Sequence, residues 1–306
     1  MRIAILCNDR IALPALDFLV SSGLTVAVGM PDRAGETQTL VKNRCVLTSI
    51  PFQLISKKTL KDDLLNWMDS NKPDVVFVKT FPWLIPAEVL TIPQYGFINF
   101  HYAPLPAWRG SNPLFWMLRN RESMGGVSVH EMSETYDTGP ILLEQTVPIH
   151  NTVNFGIFYT QLAFAGLQLT QELIRRLQTN QLIKKEQDAS MAKWYGHPKA
   201  TDLLIDWQNM EAEDIIALVK ACNPWNKGAG TKWKGWTFGI TYASVGDELQ
   251  ETLAPGTILS LDPVAGFTIA CRNKKTVVAE VVYCEEGFYP GYCLSAFGLQ
   301  KHHQLS

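Results

Sequence analysis

An α/β domain followed by a small all-β domain is what these 306 residues predict, on three observations. Apolar runs of strand length alternate with amphipathic stretches as far as Phe97, the pattern of a mostly parallel sheet with helical crossovers. From Trp236 onward the apolar runs shorten and alternate, separated by Gly, Pro and Asp turns, which is the pattern of a small barrel. Between the halves, 181–200 is polar and contains Gly196-His197-Pro198, so it reads as a linker. The expected boundaries are 1–180, 181–200 and 201–306.

Taken in order, residues 2–7 are a buried first strand, 13–19 a helix that tolerates Pro14 in its first turn, and 24–30 a second strand. The turn between them, Cys-Asn-Asp-Arg-Ile-Ala, lacks the G-x-G-x-x-G phosphate cradle and excludes a dinucleotide fingerprint. Residues 32–43 read as a polar loop, 51–55 as a short strand and 60–68 as a helix with Thr59 as its cap. Val75 to Val78, flanked by Asp74 and Lys79, has the unbroken apolar character of a central parallel strand. Residues 97–100 are an apolar run broken by one amide, Asn99, and end on His101. A helix over 112–120 capped by Ser111, strands over 126–132 and 141–147, and a long helix over 155–177 complete the first part. That helix presents Phe158, Leu162, Ala165, Leu169, Leu173 and Leu177 at helical spacing. In the second part, Ile205-Asp206-Trp207 precedes a helix over 211–221 with acids in its first turn, where the helix dipole favours them. Strands follow over 237–242, 256–260, 266–271 and 276–283.

A hydrophobic content of 46% supplies a core for each part, and a formal charge of −2 argues for neither a nucleic-acid tail nor a strongly acidic surface. The six cysteines form no C-x-x-C pair and lie in apolar runs, so they read as reduced core residues of a cytoplasmic protein. The N-terminus has no signal-peptide core, and no run approaches 18 apolar residues, so no membrane span is expected. His130-Glu131 has no second histidine at the spacing of a zinc-binding helix, and His302-His303 reads as a frayed terminus; no metal is expected.

The chemistry concentrates in FINFHYAPLPAWRGSNPLFW, residues 97–116, and in Tyr136-Asp137-Thr138-Gly139-Pro140. Ligands of open α/β sheets bind beyond the carboxyl ends of the strands, where Asn99 and His101 stand two residues apart and face one side. An amide and a protonated imidazole supply the fixed donors that an acyl-transfer oxyanion needs. A carboxylate beside the imidazole favours its charged form and can take the proton of an attacking amine; Asp137, in a sharp turn, is the candidate. His130, on an alternating strand, reads as a satisfied or surface imidazole.

Asn-x-His, Leu-Pro, Arg-Gly and an Asp-Thr-Gly 36 residues after the histidine together resemble the active site of the 10-formyltetrahydrofolate-dependent formyltransferases. The resemblance implies a Rossmann-like formyltransferase domain, an OB-like C-terminal barrel, and catalytic positions at Asn99, His101 and Asp137. It implies a folate site lined by the aromatic loop with Phe81, Trp83, Leu84 and Ile85, and by Leu105, Thr135 and Tyr136. Arg109 is placed to bind an acid group of donor or acceptor, or equally to stabilise its loop. The co-substrate implied is 10-formyltetrahydrofolate. The expected acceptor is methionyl-tRNA, since Ile-Asp-Trp, a helix and Asn-Pro-Trp resemble the entry to the second domain of family members acting on tRNA and aminosugars; the Asn-Lys-Gly-Ala-Gly that follows departs from their pattern. Lys227, Lys232 and Lys234 interleave with Trp225, Trp233 and Trp236 with no acid near in sequence, a candidate nucleic-acid patch. Against it, residues 201–306 hold eight basic and twelve acidic side chains, and the loop after Arg33 lacks the longer basic insertion of the tRNA-acting members. A small amine such as a nucleotide-linked aminosugar is therefore the alternative acceptor, and water, giving a hydrolase, the third.

Overall fold

A computed structural model describes residues 1–306. It divides into one unit formed by Met1–Pro113, Met124–Pro148 and Tyr159–Tyr195 and a second formed by Leu114–Ser123, Ile149–Phe158 and Gly196–Ser306. No helix is long and apolar enough to cross a membrane.

The first unit is built on β1 (Ile3–Cys7), β2 (Thr25–Pro31), β3 (Phe52–Ile55), β4 (Val75–Lys79) and β5 (Phe97–His101), with α1 (Leu13–Ser21), α2 (Glu36–Leu47), α3 (Leu60–Asn71) and the short α4 (Ala87–Leu90) between successive strands. A two-residue strand β6 (Arg109–Gly110) and helix α5 (Pro113–Arg119) lead to β7 (Met124–Glu131) and β8 (Ile141–Pro148). The sheet order is β3-β2-β1-β4-β5-β7-β8, parallel from β3 to β5 and antiparallel beyond it. This is the Rossmann-like arrangement that the alternating pattern predicts. β1 and β4 are buried at every position because the sheet is covered on both faces, which is why they read as unbroken apolar runs. After α6 (Phe155–Gln178), β9 (Trp194–Tyr195) returns to pair in parallel with β6.

The two faces of the sheet have different tasks. In the register of β4 and β5, Val78 stands beside Asn99 and Lys79 beside Phe100. The Val78 side carries the core cluster of Leu6, Leu64, Trp67, Met68, Val76 and Phe97. The opposite side meets α6, whose Thr170 hydroxyl accepts from Lys79 Nζ at 3.1 Å. Lys79, a flanking residue by its sequence position, is instead the last residue of the strand, fully buried, with Nζ 3.1 Å from the centroid of the Phe100 ring. Burial drives its pKa well below the ordinary lysine value.

Two local expectations fail for identifiable reasons. Residues 32–43, read as a loop, are largely helical, since α2 runs from Glu36 to Leu47. Only Val41 and Cys45 of that helix are buried, so its apolar stripe is too narrow to register as a period. Thr59 does not cap α3 with its side chain; its hydroxyl donates to Asp63 Oδ2 at 3.0 Å, which also accepts from Ser56 N at 2.8 Å.

In the second unit, α7 (Ala212–Cys222) packs on an antiparallel sheet formed by β10 (Ala229–Trp233), β11 (Trp236–Glu248), β12 (Ile258–Asp262), β13 (Gly266–Ala270), β14 (Lys275–Cys284) and β15 (Gly287–Pro290). Its order is β10-β11-β14-β13-β12, with β15 on β14. The C-terminal tail spans the two end strands: Lys232 and Ser306 exchange backbone hydrogen bonds at 2.8 and 2.9 Å, and Ile258 N donates to His303 O at 2.8 Å. His302-His303 is therefore part of a bound tail rather than a frayed end, and the His303 ring stacks on Trp233 at 5.3 Å. Residues 114–123 and 149–158 join this unit through Phe115 and Phe155, whose rings lie 6.1 and 5.8 Å from Trp225. All six cysteines are free thiols, five of them buried.

Folding also places acids on the Lys-Trp patch, which has none near it in sequence. Glu286 lies 3.4 Å from Lys227 Nζ, and Glu285 accepts from Trp236 Nε1 at 3.1 Å. The β14–β15 turn brings them there.

Replacing Lys79 by Met should stabilise the protein by about 1–3 kcal/mol at neutral pH, because a thioether has no amine to desolvate. The sign of the pH dependence follows from linkage: between its lowered native pKa and about pH 10 the unfolded amine binds a proton that the native one does not, so wild-type stability rises with pH across that window. Denaturant unfolding at several pH values checks this, and a wild-type and a Lys79→Met profile of equal slope between neutral pH and about pH 10 contradicts it.

Candidate active site

β5 delivers its polar side chains at its carboxyl end, and period-two alternation puts Asn99 and His101 on the same side as Phe97. Its antiparallel neighbour β7 carries Ser128 and His130 in one phase, and the register sets His130 against Asn99 and Ser128 against His101. Asn99 Nδ2 lies 3.0 Å from His130 Nε2, and His130 Nδ1 lies 2.7 Å from the Glu131 carbonyl. A carbonyl only accepts, so Nδ1 carries the His130 proton and Nε2 accepts from Asn99. The Asn99 amide thus keeps one N–H for a ligand, not two. Ser128 donates to Ala103 O at 2.9 Å and accepts from Leu105 N at 3.0 Å, which fixes the chain leaving β5.

Asp137 enters from the β7–β8 connection. Its backbone is left-handed, with φ of 56°, a conformation that costs a non-glycine residue on the order of 1–2 kcal/mol. Gly139 holds the turn against β7, since a Cβ there would stand 2.0 Å from the Glu131 carbonyl oxygen. Ser133, Thr135 and Thr138 hydrogen-bond among themselves inside it. The carboxylate lies 3.5 Å from His101 Nδ1 and 3.8 Å from His130 Nε2, and its other oxygen accepts from Gly110 N at 2.9 Å. Gly110 is required where it is: its φ is 114°, and a Cβ would fall 2.1 Å from the Tyr195 carbonyl oxygen.

The protonation states follow from these contacts. Burial raises the Asp137 carboxyl, but the His101 and His130 imidazoles and the Gly110 N–H outweigh it and bring it to about 2. Burial lowers His101 below the ordinary imidazole value; the pull of Asp137 and of the Trp108 carbonyl, 2.6 Å from Nε2, does not overcome it. The expectation that Asp137 holds His101 charged is thereby reversed, because desolvation exceeds the attraction of a carboxylate at 3.5 Å. At neutral pH the pair is a carboxylate beside a neutral imidazole whose Nε2–H is spent on Trp108, leaving the Nδ1 lone pair as proton acceptor.

Among the other residues expected here, Phe81, Trp83 and Ile85 pack into the core cluster, Phe81 and Trp83 edge to face at 5.3 Å. Leu84 of the same loop is partly exposed. Leu105 is buried, while Thr135 and Tyr136 are exposed on the Asp137 turn. Arg109 is buried and engages Gln187 Oε1 at 2.7 Å, with its guanidinium 5.8 Å from the centre of the Trp194 ring. No three His, Cys, Asp or Glu side chains gather as a metal-binding group.

Two residues of the cluster escape sequence reasoning. His130, expected as a satisfied or surface imidazole, is satisfied by Asn99 and the Glu131 carbonyl at 2% exposure, but its place beside Asp137 gave no signal beyond the polar phase it shares with Ser128. Gln187 gave no signal, since it falls in a polar stretch beyond α6.

The chain matches the family model described as formyl transferase over residues 21–174, and that described as formyl transferase, C-terminal domain, over 199–286. It is 31% identical over 280 residues to the methionyl-tRNA formyltransferase of Syntrophus aciditrophicus, covering 90% of this chain and 88% of the relative. It is 29% identical over 290 residues to that of Acetivibrio thermocellus, covering 92% of each. Among solved structures, the sugar 3N-formyl transferase WlaRD, crystallised with dTDP and 5-N-formyl-THF, superimposes with a TM-score of 0.68 at 14% identity, over 91% of this chain and 97% of that one. HypX from Aquifex aeolicus, in complex with tetrahydrofolic acid, gives a TM-score of 0.68 at 19% identity over 97% of this chain, which spans 47% of HypX. With both of its parts matched, this chain belongs to the formyl transferase family.

Proposed function

We propose that the chain transfers a formyl group from 10-formyltetrahydrofolate to a primary amine. The observation that supports this is the meeting, at a strand exit, of the buried His101 imidazole with the Asp137 carboxylate at 3.5 Å, beside an Asn99 amide that keeps one N–H uncommitted. In this reading Asn99 gives its free N–H to the formyl oxygen as charge develops there. His101 takes the amine proton at Nδ1, and Asp137, 3.5 Å away, stabilises the imidazolium that forms. The same proton then serves N10 as tetrahydrofolate departs. The donor is held by the backbone of the loop around Leu84, with Phe81, Trp83 and Ile85 as the wall behind it, and by Leu105, Arg109, Thr135 and Tyr136.

Methionyl-tRNA is the acceptor that the named relatives support. A small amine such as a nucleotide-linked aminosugar is the second reading, favoured by one observation: Glu285 and Glu286 offset the Lys-Trp patch that an RNA would need. Free thiols throughout fit a cytoplasmic setting. Donor conversion measured with methionyl-tRNA, with amine-bearing sugar nucleotides and with no acceptor separates these. Formylated product from either acceptor supports formyl transfer and identifies the class; formate released at full rate without any amine overturns it in favour of hydrolysis.

Asn99→Ala should lower kcat by about 100-fold or more, and Asp137→Ala by a similar factor. Full turnover of either variant with purified substrates removes that residue from the mechanism. The kcat/KM profile should lose activity as pH falls, with an apparent pKa below 6.5 for His101, since its neutral form is the active one. Asp137→Asn should move that limb to still lower pH by removing the charge that raises His101; an upward shift contradicts the assignment.

A further inference from the structure

Resting on that reading, we propose that Gln187 is the positioning residue for Asp137: its side-chain amide clamps the turn that presents the carboxylate and ties it to the strand that binds it. Gln187 Nε2 donates to the carbonyl oxygens of Asp137 at 3.0 Å and Gly139 at 2.7 Å. Its Oε1 accepts from Arg109 at 2.7 Å from Nη2 and 3.3 Å from Nε. The amide orientation is fixed by its partners, because a flipped group would set oxygen against two carbonyls and an NH2 against a guanidinium. Both Nε2 hydrogens and the oxygen are therefore in use on groups within one turn and one strand of the site.

The contacts close into a circuit. Arg109 is the strand neighbour of Gly110, and Gly110 N donates to Asp137 Oδ2 at 2.9 Å. Asp137 is thus held at both ends, its backbone by Gln187 and its carboxylate by the strand that Gln187 anchors through Arg109. Asp137 tolerates its left-handed conformation better than most side chains would, and these contacts select that conformation over the others open to it. β9 fixes Gln187 in turn: the segment that carries it begins at the Lys185–Ile141 bridge and ends where Trp194 and Tyr195 pair with Arg109 and Gly110. The stretch that follows the long helix thus completes the site.

Gln187→Met keeps the length of the side chain and removes the amide, while Gln187→Glu keeps the Arg109 partner and sets oxygens against the Asp137 and Gly139 carbonyls. Each should lower kcat by about 10- to 100-fold with KM for donor and acceptor nearly unchanged, as expected of a displaced reacting group. The carboxyl titration of Asp137, followed by carbon-13 NMR in the protein without substrates, should move up from about 2 toward its ordinary value in both variants. Wild-type kcat in both variants overturns the proposal, as does a lower kcat with the Asp137 titration unmoved, which is the mark of a merely structural residue. A Gln187→Glu variant equal to wild type in both readouts overturns it too, because Arg109 alone would then be the partner that matters. The NMR titration needs no turnover, so it judges the clamp even if the assay rejects formyl transfer; absence of formyl transfer by the wild type is the failure of the functional reading alone.

Discussion

The placement of the Asp137 carboxylate, against its own burial and in a left-handed backbone turn, is the constraint on which the site depends. Left unpartnered, a carboxyl this buried would protonate more readily than one in water. Two imidazoles and one backbone N–H, acting at the low pH where this carboxyl titrates, reverse that outcome. Each of the three comes from a different element: His101 from β5, His130 from β7 and Gly110 from β6. The carboxylate is therefore a product of how these strands meet, with the antiparallel addition of β7 beside β5 supplying one imidazole and the separate β6–β9 pair the backbone N–H.

The sheet separates chemistry from stability by alternation. Asn99 and His101 emerge on one face of β5, while Phe100 and the buried Lys79 beside it occupy the other, under α6. A lysine with no carboxylate partner is an expensive core residue, accommodated by one hydroxyl and one aromatic ring. It sits one residue from the chemistry along the strand direction, yet it points away from it.

The fold was legible where the sequence encodes a period. β1 and β4 read correctly because double burial forces apolar runs, β5 because its apolar run is broken by a single amide, and the C-terminal sheet because its strands alternate between turns. α2 was missed because two buried positions make no period. Asn99, His101 and Asp137 were named because a strand end and a sharp turn concentrate unusual residues. His130 and Gln187 were not, because their roles exist only through pairing across strands and a return of the chain from beyond α6. The protonation of His101 was misjudged for the same kind of reason: a neighbouring carboxylate is visible in a motif, whereas the extent of burial is not.

The most direct measurement of this account is nitrogen-15 NMR of the imidazole rings near neutral pH in the protein without substrates. The account predicts a neutral His101 with its proton on Nε2 and an unprotonated Nδ1 facing Asp137, and a His130 ring with its proton on Nδ1. A doubly protonated His101 at neutral pH would contradict it, leaving Asn99 and an imidazolium as oxyanion donors and no base other than a very weak carboxylate.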